Sequence, residues 1–445
     1  MDAARVAALT ERENQRFAET HPQSLALHTR ARDSMPHGVP MGWFHDLYAH
    51  GPVFAVDGHG AHFTDADGHR YLDFNLADMS LYCGFDPAPV VAAVADRMAK
   101  GGQFLLPTED AIWVAEELGR RYGLPHWQFT LAATTANVEA MRLARVATGR
   151  PVVVMFDGRY HGHADEMLFA PGSGGLVAEL LGLDPGAAHR VRIVPFNDPE
   201  ALTAALAPGD VACVLTEPAL TNIGVVQPAP GFHAALRQAT RDHDTLLAID
   251  ETHTQVCGPG GLTGRWGIEP DLLTLGKSAA GGTPFGAYGM TEALAAVFEH
   301  PDPDDSQAEL ATGGTLFANA VSMAAARAAL GAVLTEEVYE RTTVLGTRLA
   351  DGIEVVAQAA GLPWCAHRLF PRSGYAHGGQ LPHNAEQARQ GFRRDVTDLQ
   401  RVYFANRGVW EAIYSAGPCV GLAHAEEDVD RYMAVLADLV DELVA

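Results

Sequence analysis

Four short stretches of the chain are apolar at nearly every position: Pro151–Phe156 (PVVVMF), Val211–Glu217 (VACVLTE), Thr245–Glu251 (TLLAIDE) and Asp271–Lys277 (DLLTLGK). None alternates as a strand with one wet face would, so each predicts a strand covered on both sides. Helical spacing appears in Pro89–Ala99 (PVVAAVADRMA) and Thr134–Thr148 (TTANVEAMRLARVAT). Strands and helices in alternation predict an α/β fold with a mostly parallel sheet between helices. Gly51–Phe74 alternates apolar and polar residues around two Asp-Gly turns, the pattern of a small β-meander. The first ~30 residues read as a polar helix. Beyond residue 330 long amphipathic helices return, and the last puts Val429, Met433, Leu436, Val440 and Leu443 on one face, with Glu426, Glu427 and Asp428 at its start. This pattern predicts a large domain over 81–330 and a small α+β domain built from 1–80 and 331–445 together. His300–Glu309 (HPDPDDSQAE) reads as an exposed acidic loop.

Composition narrows the setting. A chain of 445 residues, 47% apolar and 19% charged, is globular and long enough for more than one core. The net charge of −24 argues against nucleic acid or an anionic membrane as partner. Five scattered cysteines without a C-x-x-C pair predict neither a disulfide framework nor a structural zinc site, and fit a reducing cytoplasm. The N-terminus lacks the apolar core of a signal peptide, and no apolar run has the length of a membrane span.

The strand ends carry the chemistry. Ligands of an open parallel sheet bind beyond the carboxyl ends of its strands, and there this chain places Glu217, Asp250 with Glu251, and Lys277. Lys277 is one of only two lysines among 31 basic residues, the other being Lys100. Arginine replaces lysine as a surface cation but not as an amine nucleophile. An amine, a buried acid and a Thr-rich turn into a helix (Leu131–Asn137) suit pyridoxal 5'-phosphate. That cofactor needs an amine for its aldehyde, an anion for its ring nitrogen and helix amides for its phosphate.

Taken jointly, DADGHRYLDF, TTANVEAMRLARVATGR, FDGRYHGHADE, TEPALTNIGVVQPAPGF, LLAIDE, PDLLTLGKSAAGG, PFGAYG and GGTLFAN resemble the class III aminotransferases. These are pyridoxal-phosphate enzymes of fold type I, the aspartate-aminotransferase-like fold. The similarity is greatest to the branch of glutamate-1-semialdehyde aminomutases and β-amino-acid aminotransferases. The resemblance implies a Schiff base at Lys277, which then shuttles protons, and Asp250 paired with the ring nitrogen. It implies Tyr160 stacked on the ring, with His161 in the same cofactor motif, and Glu217 under the cofactor. Ala133, Thr134 and Thr135 match the phosphate loop. Thr315 matches a threonine that reaches the phosphate across a homodimer interface. The HGH run ending at Asp165 lies inside the cofactor motif, so no metal is expected.

Three departures from the family pattern stand out. The phosphate loop reads AATT where S-G-T-E is usual, and Cys257 stands where D-E-V-x-T-G-F-R has its arginine. The N-terminal segment GVPMGWFHDLY carries no arginine for a substrate carboxylate. Arg265, Arg368 and Arg372 are the remaining candidates, while Trp43, Phe44 and Tyr48 predict an apolar pocket wall. The resulting expectation is an aminotransferase working by a ping-pong mechanism, between a small amino donor and a carbonyl acceptor. The alternative is an isomerase of the same fold, an aminomutase or racemase.

Overall fold

A computed structural model describes residues 2–47, 49–300, 310, 312–412 and 417–445. The chain divides into two compact units. One is formed by Met1–Pro87, Glu340–Leu381 and Gln390–Ala445, and the other by Ala88–Tyr339 with Pro382–Arg389. Tyr48 and nearly all of the acidic stretch His300–Glu309 lie outside the described residues.

The larger unit is organised by a seven-stranded sheet. Its strands in chain order are β1 (His126–Thr130), β2 (Val152–Phe156), β3 (Val191–Val194), β4 (Val211–Thr216), β5 (Leu246–Asp250), β6 (Leu272–Leu275) and β7 (Gly286–Met290). In space they run β1-β7-β6-β5-β4-β2-β3. The four apolar runs are thus four adjacent strands, all parallel. β3 joins them in parallel, and β7 runs antiparallel between β6 and β1.

Every residue of β2 and β4 is buried because helices cover both faces. Val153 and Met155 pack with Ala136, Ala140 and Leu143 of the Ala133–Thr148 helix. Val152, Val154 and Phe156 turn the other way, to Leu202 of the Pro199–Leu206 helix and Leu236 of the Phe232–Asp242 helix. Each such side chain contributes about 1.5–3 kcal/mol. β7 (GAYGM) is poor in apolar bulk for a steric reason. A Cβ on Gly286 would stand 2.5 Å from the Ala132 carbonyl oxygen, and one on Gly289 2.6 Å from the Trp127 ring.

The smaller unit contains the expected meander, Ala55–His59, His62–Asp65 and Arg70–Asp73, extended by Val409–Trp410 in parallel with its third strand. The N-terminal stretch is two helices, Ala3–Thr20 and Pro22–Ala31, divided at His21 where a proline begins the second. The C-terminal helix, Glu426–Val444, carries three acids in its first turn and buries Val429, Leu436, Val440 and Leu443 in the unit's main core. Among the described residues no helix is long and apolar enough to cross a membrane.

Candidate cofactor site

Asp250 ends β5 in register with Thr274 of β6. Its Oδ2 accepts hydrogen bonds from His161 Nδ1 and Asn137 Nδ2, each at 2.8 Å, and its Oδ1 from the Thr252 amide at 2.9 Å. Asn137 is itself clamped. Its amide also donates to the His161 carbonyl at 2.8 Å, and its Oδ1 accepts from the Thr274 hydroxyl at 2.5 Å. Burial acts to raise the Asp250 carboxyl, but the hydrogen bond and charge of His161, with Thr252, outweigh it. The net result lies below the ordinary aspartate value, so a buried carboxylate is kept ionised. Glu251, the next residue, behaves oppositely. Burial raises it, while its oxygens accept from the Thr254 and Thr263 hydroxyls and the Thr263 amide. Glu251 therefore pins the Gly261–Trp266 helix. Gly261, at φ 61°, is where a Cβ would strike that carboxylate, so the turn Gly258–Gly261 (GPGG) serves Glu251.

Lys277 follows β6, half-buried, with a left-handed backbone at φ 46°. Such a conformation costs a non-glycine residue on the order of 1 kcal/mol or more and is held by its surroundings. Gly276 supplies part of that hold. Its carbonyl accepts from Gln255 Nε2 at 2.8 Å, and a Cβ there would stand 2.9 Å from the Ala133 amide nitrogen. The strand end bearing the lysine is thereby pressed against the first turn of the Ala133–Thr148 helix.

That helix opens at Ala132 without a side-chain cap, leaving first-turn amides for an anion. Thr134 Oγ1 accepts the His163 amide at 3.3 Å, while the Thr135 hydroxyl turns back to the Ala132 carbonyl at 2.8 Å. Gly162, at φ 114°, lies so close that a Cβ would approach Thr134 Oγ1 to 2.1 Å. The loop carrying Tyr160 and His161 is thus seated directly on the helix start.

Tyr160 is 43% exposed, and its amide donates to Glu217 Oε1 at 3.4 Å. The other Glu217 oxygen accepts from the Thr221 hydroxyl, which lies 2.9 Å from His253 Nδ1. Glu217, Thr221 and His253 are all buried. Thr315 is exposed on the larger unit, its carbonyl accepting from Gln103 Nε2 at 2.5 Å. Arg265 Nε donates to the Cys257 carbonyl.

In the smaller unit Trp43 and Phe44 are 46% and 43% exposed. Arg368 pairs with Asp351 and Glu354 at 2.7 and 2.8 Å. Arg372 is fully buried on the Arg372–Ala376 strand, so a carboxylate it met would have to be buried with it. Asn137 is the residue that the sequence pattern does not single out. It lies in the helical motif yet holds both Asp250 and His161.

The donor set fits pyridoxal phosphate: an amine at a strand end, an ionised buried carboxylate, a half-exposed aromatic and an uncapped helix start beside a threonine. Comparisons with known proteins agree. The class III aminotransferase profile matches residues 46–362. A glutamate-1-semialdehyde 2,1-aminomutase of Thermomicrobium roseum is 35% identical over 92% of this chain and 95% of its own length. A crystal structure of a glutamate-1-semialdehyde aminomutase from Pseudomonas aeruginosa is 39% identical, with a TM-score of 0.95 over 100% of this chain and 99% of its own. A variant of that enzyme is solved in complex with PMP. The β-phenylalanine aminotransferase of Variovorax paradoxus is 26% identical at a TM-score of 0.86, covering 98% and 97%. The cofactor is pyridoxal phosphate, and the chain belongs to the class III aminotransferase family.

Proposed function

We propose that the protein is an aminomutase, which moves an amino group between neighbouring carbons of one small amino aldehyde of the glutamate-1-semialdehyde class. The observation carrying this reading is the gradient of similarity. Relatives named aminomutases share up to 39% identity at a TM-score of 0.95, whereas the V. paradoxus transaminase stands at 26% and 0.86. This reverses the order expected from sequence, in which transfer between two substrates came first.

Bound pyridoxal phosphate supplies an electron-withdrawing ring that stabilises negative charge on the substrate carbon beside the nitrogen. Asp250, kept ionised by His161 and Asn137, holds positive charge on the ring nitrogen. Lys277 Nζ takes the proton from one substrate carbon and returns a proton to its neighbour. The first-turn amides of the Ala133–Thr148 helix, with Thr134, would hold the phosphate, and Tyr160 would stack on the ring. Glu217, braced by Thr221, supports the Tyr160 backbone. Thr315 serves the phosphate of a second copy, supported by its own exposure and by the exposed Val91, Met98, Leu105, Leu106 and Ile112, which leave apolar surface on the larger unit.

The test is incubation with glutamate-1-semialdehyde alone. Isomer with the 2-amino group moved to carbon 1, formed without a second substrate, supports the aminomutase. Amino transfer to an unrelated oxo acid with no isomer formed would assign the protein as a transaminase instead.

A further inference from the structure

His21, Asp65 and His69 gather in the smaller unit, and the cofactor chemistry uses none of them. They come from the junction of the two N-terminal helices and from the meander turn, with no metal-ligand spacing in sequence. We infer that they form a site for a tetrahedral divalent transition-metal ion of the zinc class. This departs from the metal-free reading of the sequence.

The spacing carries the inference. Asp65 Oδ2 lies 3.4 Å from His21 Nε2 and 3.2 Å from His69 Nδ1. Ligand atoms at zinc distances on tetrahedral corners stand about 3.3 Å apart. All three ligand atoms lie within 4.8 Å of one another.

Two of the three ligands are also oriented from behind. His21 Nδ1 sits 2.7 Å from the Phe17 carbonyl, an acceptor only, so Nδ1 bears the proton and Nε2 offers its lone pair. Asp65 Oδ1 accepts the Asp67 and His69 amides at 2.9 and 2.8 Å, which leaves Oδ2 to face the cluster. Such outer hydrogen bonds are what hold metal ligands in place. The His21 ring is further fixed by stacking on Phe17 at 3.7 Å.

Proton counting points the same way. The Tyr71 hydroxyl is 2.6 Å from His21 Nε2 and 2.9 Å from Asp65 Oδ2, one proton for two buried acceptors. One lone pair is left facing another, at a cost that burial magnifies. A cation removes that conflict, with a water completing its shell. His21 and Asp65 are buried while 39% of the His69 side chain is exposed, which gives the ion an entry side.

The experiment uses the full-length holoenzyme, stripped with a chelator, dialysed and titrated with zinc chloride. About one equivalent per chain is expected to survive desalting and to raise the unfolding temperature. Affinity is expected to fall more than about 100-fold in His69→Ala, at the partly exposed ligand, and in His21→Gln, which preserves a polar group in the buried position. Retention below about a tenth of an equivalent would overturn the site and leave the missing positive charge to a proton on His21. Equal retention in both variants and wild type would overturn it too, by placing the metal elsewhere.

Discussion

The roles proposed for Lys277 and Asp250 at the cofactor differ, and their variants are expected to separate accordingly. Lys277→Ala is expected to remove the visible absorbance of the bound cofactor and at least about 10⁴-fold of kcat, as loss of an amine nucleophile with no substitute. Asn137→Ala leaves the lysine but takes a side-chain donor from the Asp250 carboxylate. Leaving a buried charge short of a hydrogen bond costs about 1–3 kcal/mol, so kcat should fall about 10- to 100-fold with cofactor still attached. An unchanged kcat in Asn137→Ala would show that His161 alone fixes Asp250. The placement of Asp250 and Lys277 at strand ends is legible in the sequence because each closes an apolar run. Asn137 is not, since its three bonds go to residues distant along the chain, His161, Asp250 and Thr274. Neither is the left-handed backbone of Lys277, which packing against Ala133 and Gln255 imposes from outside its own motif.

Between elements, the contact that matters is that of the Tyr160–Gly162 loop with the start of the Ala133–Thr148 helix. Gly162 meets two demands there, a φ of 114° and the space taken by Thr134. Gly162→Ala should therefore push the loop off the helix. The expected outcome is cofactor affinity weakened at least about tenfold and stability lowered by about 1–3 kcal/mol, read by cofactor titration and thermal unfolding. Wild-type affinity in that variant would mean that the phosphate turn does not depend on the loop. The four core strands follow from the sequence because residues buried on both faces leave continuous apolar runs. β7 does not, since close backbone approach selects its glycines, and its antiparallel direction is set by neighbours β6 and β1. The C-terminal helix shows the opposite case, where periodicity alone assigns the face. Its fully buried Leu436 should cost about 2–5 kcal/mol when cut to alanine. A loss below about 1 kcal/mol, measured by denaturant unfolding, would mean that the core collapses around it.

Over the whole molecule, surface and charge make two further demands. Leu105 and Leu106, 73% and 70% exposed, are costly on a monomer and ordinary on a face covered by a second copy. A Leu105→Asp/Leu106→Asp double variant should shift sedimentation from dimer to monomer and, through Thr315, weaken cofactor retention. A monomeric wild type would end that reading. The second demand concerns acid. Burial holds His50 and His367 down to about 3 and His377 and His424 down to about 4, so all four are neutral in the native protein at pH 5. All four belong to the smaller unit. In the unfolded chain each takes up a proton below its ordinary value of about 6.5. Below that pH the unfolded state binds more protons than the native one, so stability falls as pH falls, until the native values are reached. The ionised Asp250 of the larger unit responds only lower, beneath the ordinary aspartate value. Hydrogen exchange between pH 6.5 and 4 should therefore show protection lost first in the smaller unit, while the sheet around Asp250 stays protected. Simultaneous loss in both units would show that they unfold as one, and loss first in the larger unit would contradict the assignment of neutral histidines.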